Sequence, residues 1–68
     1  MNEQNLAVAG RLRKLRGDRT QKSIAKAVGV TPMAISLYES GKRMPRIQTM
    51  NKLAKVYNTT VDALFFGN

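Results

Sequence analysis

The 68 residues include no cysteine and no histidine, so disulfide stapling, thiolate chemistry and the common zinc sites are closed to this chain. Its four carboxylates form no metal cluster, and no nucleophile–base pair or phosphate-cradling glycine loop is present. No catalytic residue, no metal and no cofactor are therefore expected. Positive charge is what the chain does carry: 12 Lys+Arg against 4 Asp+Glu, a formal net charge of +8. An excess of that size costs folding stability through self-repulsion and speeds encounter with anionic partners, nucleic acid or acidic membrane. Part of it is concentrated in Lys42-Arg43. Close by in the sequence, Met33 and Leu37 lie four residues apart, an apolar pair that needs a partner if it faces outward.

Those residues must be held by a very small body. A chain of this length is one domain, residues 1–68, and buries only about 60% of the surface its unfolded form exposes. That leaves one core and hardly any deep cleft, which favours binding over catalysis. At 43% apolar the sequence is ordinary for a globular protein. No segment has the character of a signal peptide or approaches the roughly 20 apolar residues of a membrane span, so the expectation is a cytoplasmic protein with no membrane partner.

Apolar residues recur at three- and four-residue spacing and never alternate over a strand's length, which predicts an all-α fold. Val8, Leu12 and Leu15 give a first helix from about Asn5 to Arg16, ended by Gly17-Asp18. Thr20 is the N-cap of a second, with Ile24, Ala25 and Val28 inward and Gly29 at its end. Thr31-Pro32 repeats the start signal, a capping hydroxyl followed by proline where its missing N–H costs nothing. Ile35 and Tyr38 then face inward, leaving Met33, Ser36 and Leu37 outside, and Gly41 closes that helix. Ile47, Met50, Leu53, Ala54 and Tyr57 mark a fourth helix capped by Asn58. Thr60 opens a short fifth with Val61, Leu64 and Phe65. The adjacent Phe65 and Phe66 cannot both point inward.

From about 20 to 40 the pattern meets the physical requirement of a helix-turn-helix: glycine at 29 permits the bend and alanine at 25 permits the close crossing. The stretch TQKSIAKAVGVTPMAISLYESGKRMP resembles the helix-turn-helix of the phage repressor and Cro family, also called the xenobiotic-response-element family. LRKLR before it and IQTMNKLAKVYNTTVDAL after it resemble that family's flanking helices. The resemblance covers about residues 6 to 66 and rests on Gln21, Gly29-Val30-Thr31, Glu39-Ser40-Gly41-Lys42 and Pro45.

It implies a compact five-helix DNA-binding domain whose third helix enters the major groove of double-stranded DNA, usually as a homodimer on a two-fold operator, and a bacterial or phage transcription regulator, most often a repressor. Carried over residue by residue, Gln21, Thr31, Lys42 and Arg43 match phosphate-facing positions. Pro32, Met33, Ser36 and Leu37 match the positions facing base edges. Glu39 matches an acidic position that pairs with an arginine of the first helix, here Arg16. Val61 and Phe66, left over once the core is filled, are the dimer candidates.

Two features depart from the family pattern. The connection between Arg16 and Gln21 is about two residues short, and Arg19 stands where a hydrophobic residue is usual. The base-facing set contains none of the Arg, Asn or Gln side chains that make bidentate base contacts, so methyl contacts to thymine and indirect readout must carry specificity. Blander readings compete. Arg11, Arg13, Lys14, Lys52 and Lys55 can be plain solvated surface, and Met33, Leu37 and the basic face can serve an adaptor or antitoxin-type module that binds an acidic protein.

Overall fold

The computed structural model describes residues 3–67 of the expected 1–68 domain; Met1, Asn2 and Asn68 lie outside the described residues. The fold is all-α, with no strand among the described residues. Its helices are α1 (Glu3–Arg16), α2 (Gln21–Val28), α3 (Pro32–Glu39), α4 (Ile47–Val56) and α5 (Asp62–Phe66). Helix α1 is already formed at Glu3, two residues before the expected start. A carboxylate in the first turn suits the positive end of the helix dipole.

The starts and stops follow local chemistry. Thr20 Oγ1 accepts from Ser23 N at 3.0 Å and Thr31 Oγ1 from Ala34 N at 3.1 Å, so each of the two helix-turn-helix helices opens on a hydroxyl cap. Gly29, at φ 75°, lets the chain leave α2 by a left-handed residue, and the next amide, Val30 N, returns to Ala25 O at 3.0 Å. Gly41, at φ 77°, does the same for α3, with Lys42 N on Leu37 O at 3.0 Å. Asn58 takes that place after α4 at φ 53°, and Thr59 N reaches Ala54 O.

Helices α2 and α3 pack on each other, α1 lies against both α3 and α5, and α4 lies against α2. Between them Val8, Leu12, Ile24, Ala25, Val28, Ile35, Tyr38, Leu53, Tyr57, Leu64 and Phe65 form one continuous core. The last helix differs from an ordinary α-turn: Asp62–Phe66 is π-helical. A π-turn rotates less per residue, so the neighbouring side chains of Leu64 and Phe65 diverge less and both are buried, while Phe66 is left outside. Truncating Phe65 to alanine would cost about 3–5 kcal/mol.

Two expected core positions are not core. Leu15 is 37% exposed, at the edge of a shallow groove shared with Thr59, Ala63 and Leu64, and Ala9 fills the inner face of α1 instead. Ile47 is 57% exposed at the first position of α4, whose buried residues, Leu53 and Ala54, lie further along the helix.

Candidate nucleic-acid interface

The orientation of α3 follows from what it buries. Ala34, Ile35, Tyr38 and Glu39 turn into the body, which forces Pro32, Met33 and Ser36 outward and leaves Leu37 half-buried. Met33 is 69% exposed, the most exposed of the large apolar side chains among the described residues. At the start of the helix Pro32 has no N–H and that of Ala34 is taken by Thr31, so Met33 N–H is the first-turn amide left over. A helix start with an unspent donor is a natural phosphate contact.

The loop after α3 is anchored rather than loose. Lys42 N and Arg43 N both donate to Leu37 O, at 3.0 and 3.3 Å, while both side chains remain exposed. Among the described residues neither cation has an ion-pair partner. Arg46 precedes α4 without giving it a side-chain cap.

Behind α3 lies a polar knot centred on Glu39, which is only 4% exposed. Arg16 Nε donates to Glu39 Oε2 at 2.8 Å and Arg16 Nη2 to Oε1 at 3.1 Å. This is a two-pronged pairing of guanidinium with carboxylate. The bond to Glu39 pushes the Arg16 pKa up, against a smaller opposing effect of burial. Gln21 Nε2 donates to the same Oε1 at 3.0 Å, and Arg13 Nη1 donates to the Glu39 backbone carbonyl. Residues of α1, α2 and α3 thus meet on one acid.

The short connection between α1 and α2 closes through Arg19. Its Nη2 and Nε donate to Leu15 O and Arg16 O, at 2.8 and 3.3 Å, and its guanidinium lies 5.1 Å from the centre of the Tyr57 ring. The stacked cation covers the phenol where the family pattern has an apolar side chain. Arg13 is exposed as expected and Arg11 is half-buried, yet each serves the C-terminal carbonyl of another helix: Arg11 Nη1 donates to Leu64 O at 3.2 Å and Arg13 Nη1 to the Glu39 carbonyl. No local signal marks such contacts, since donor and acceptor are far apart in sequence. Of the two dimer candidates, Val61 packs half-buried against the core and Phe66 remains 56% exposed.

Two hydroxyl-capped helices set across one another through Gly29, with the outer face of the second left bare, match the family model described as helix-turn-helix over residues 11–64. The chain belongs to the helix-turn-helix family. It is 36% identical over 67 residues to the HTH-type transcriptional regulator PuuR of Escherichia coli, a match covering 96% of this chain and 36% of PuuR. This helix-turn-helix chain thus spans about a third of the length of that relative. Among solved structures it is similar to the SOS-response transcriptional repressor LexA of Eubacterium rectale, with TM-score 0.88 and 26% identity over 94% of this chain and 70% of the other. It is also similar to the P22 c2 repressor solved in complex with a synthetic operator, with TM-score 0.76 and 26% identity over the whole of both chains.

Proposed function

We propose that residues 1–68 form a sequence-specific double-stranded DNA-binding domain, acting in the cytoplasm as a homodimer and most often repressing transcription. Helix α3 lies in the major groove with Pro32, Met33, Ser36 and Leu37 toward base edges. Gln21, Thr31, Lys42 and Arg43 face phosphates on either side. The observation that carries this reading is the bare outer face of α3, with Met33 69% exposed beside Ser36 on a helix whose inner face is locked. The likeness to a repressor solved on its operator supports the groove assignment, and the repressor names of both structural neighbours support the sign of regulation.

Mechanistically the domain does two separable things. Cations and helix-start donors replace counterions along the backbone, which supplies affinity without sequence preference. The apolar side chains of α3 then meet thymine methyl groups, and Ser36 adds one hydrogen bond, which supplies preference. Titration against duplex DNA across salt concentrations tests the first part. If a dimer neutralises about 6 to 10 phosphates, affinity falls by roughly 10³ to 10⁵ between about 50 and 200 mM salt. Binding that barely responds to salt contradicts the proposal.

A further inference from the structure

We infer that Glu39 is a positioning residue for Gln21: a buried acid that holds an interface amide with one N–H turned inward and the other left for a DNA phosphate. The inference rests on the DNA-binding reading above and concerns how one of its contacts is prepared.

An ionised carboxylate only accepts hydrogen bonds. Because Oε1 of Glu39 lies 3.0 Å from the Gln21 side chain, it must be met by the nitrogen of that amide, which fixes an orientation that a solvated glutamine leaves open. The primary amide has two N–H groups that diverge from one nitrogen. With the first spent on Glu39, the second has no partner among the described residues. Gln21 is the first residue of α2 and only half-buried, so that second N–H belongs to a side chain still in reach of solvent.

A negative charge beside a site for a polyanion is adverse unless cancelled. Here the two-pronged grip of Arg16 supplies the cancelling charge, and the Arg13 bond to the Glu39 carbonyl holds the same residue by its backbone. The acid can therefore orient Gln21 without repelling phosphate. A glutamine fixed in advance gives up less rotamer freedom on binding, worth roughly 10-fold in affinity for so flexible a side chain.

The test uses the whole chain and a mixed-sequence DNA duplex as the probe. Gln21→Met keeps the length and removes both donors; it should weaken binding roughly 10- to 100-fold, as expected for losing a hydrogen bond to a charged group. The slope of log affinity against log salt should stay as in wild type, because no charge is removed. Glu39→Met should weaken binding similarly, and the double variant should bind no more weakly than the weaker single one. Should Glu39→Met fail to fold, NMR of the wild-type side-chain amide decides: one Gln21 proton slow to exchange in the free protein, the other shifting only when duplex is added. Gln21→Met binding as well as wild type, or both amide protons exchanging freely before DNA is added, overturns the inference. A wild type that does not bind duplex at all overturns the DNA reading itself.

Discussion

The Arg16 guanidinium grips both oxygens of Glu39, at 2.8 and 3.1 Å, and so ties the end of α1 to the end of α3. Glu39 is buried, so deleting one partner strands a charge rather than merely removing an attraction. Arg16→Met should cost about 3–5 kcal/mol, against 0–1 for an exposed pair. Thermal melts of Arg16→Met, Glu39→Gln and the double variant should show a double loss well below the sum. Small, additive losses would make the pair a surface accident.

Base reading and backbone grip should separate by mutation. Met33→Ala and Leu37→Ala should each weaken binding to a selected operator by about 1–3 kcal/mol and leave a scrambled duplex nearly unaffected. Lys42→Ala or Arg43→Ala should weaken both and lower the salt slope by about 0.9 per lost contact. The comparison is a titration of each variant on both duplexes at fixed salt. If the operator-to-scrambled ratio is unchanged in both α3 variants, that helix does not read bases as proposed.

Dimerisation through α5 should depend on Phe66, the ring that the π-turn leaves outside. Phe66→Ser should shift sedimentation toward monomer at a concentration where wild type is dimeric, on DNA or off it. Equal association of the two proteins moves the interface elsewhere on the surface. If α5 is the interface, the two reading helices lie about one helical turn of DNA apart, roughly 34 Å.

Tyr57 should make stability fall on the alkaline side. Burial pushes its phenol pKa up, Glu39 adds to the shift, and Arg19 and Arg16 partly offset it. The folded chain therefore holds the phenolic proton more tightly than the unfolded chain, whose tyrosine titrates near 10. The stabilisation is full below about pH 10 and is lost as pH rises through the higher folded value. Tyrosinate absorbance should show one ring ionising late, and Tyr57→Phe should flatten the loss. A late-ionising ring that persists in that variant would reassign the effect.

Punctuation was the legible part of the fold. Thr20, Thr31-Pro32, Gly29, Gly41 and Asn58 act on their own backbone, so their types alone place the ends of α2, α3 and α4. Periodicity then sorted Ile35 and Tyr38 from Met33 and Ser36. It failed at Leu15 and Ile47, because it identifies an apolar side of a helix and not where the covering neighbour stops. The π-turn of α5, where Leu64 and Phe65 are both buried, has no signature in residue type or spacing. Within the site, the pairing of Arg16 with Glu39 came from family resemblance. The bonds of Arg11, Arg13 and Gln21 are made by flexible side chains across long sequence distances, which spacing cannot encode.

The cations of α1 and its turn have a consequence for how this sequence can drift. Arg16 and Arg19 each use two guanidinium nitrogens, on the Glu39 carboxylate and on the carbonyls that end α1, whereas Arg11 and Arg13 each place one nitrogen on a carbonyl, of Leu64 and Glu39. Among the described residues Lys22, Lys26, Lys42, Arg43 and Arg46 make no such bond. Lysine has no fork, so replacing arginine by lysine is damaging at Arg16 and Arg19 and milder where a single bond or none is made. Two descendants with the same net charge can therefore differ in stability, and charge-preserving replacements at Arg16 and Arg19 are where that divergence would begin.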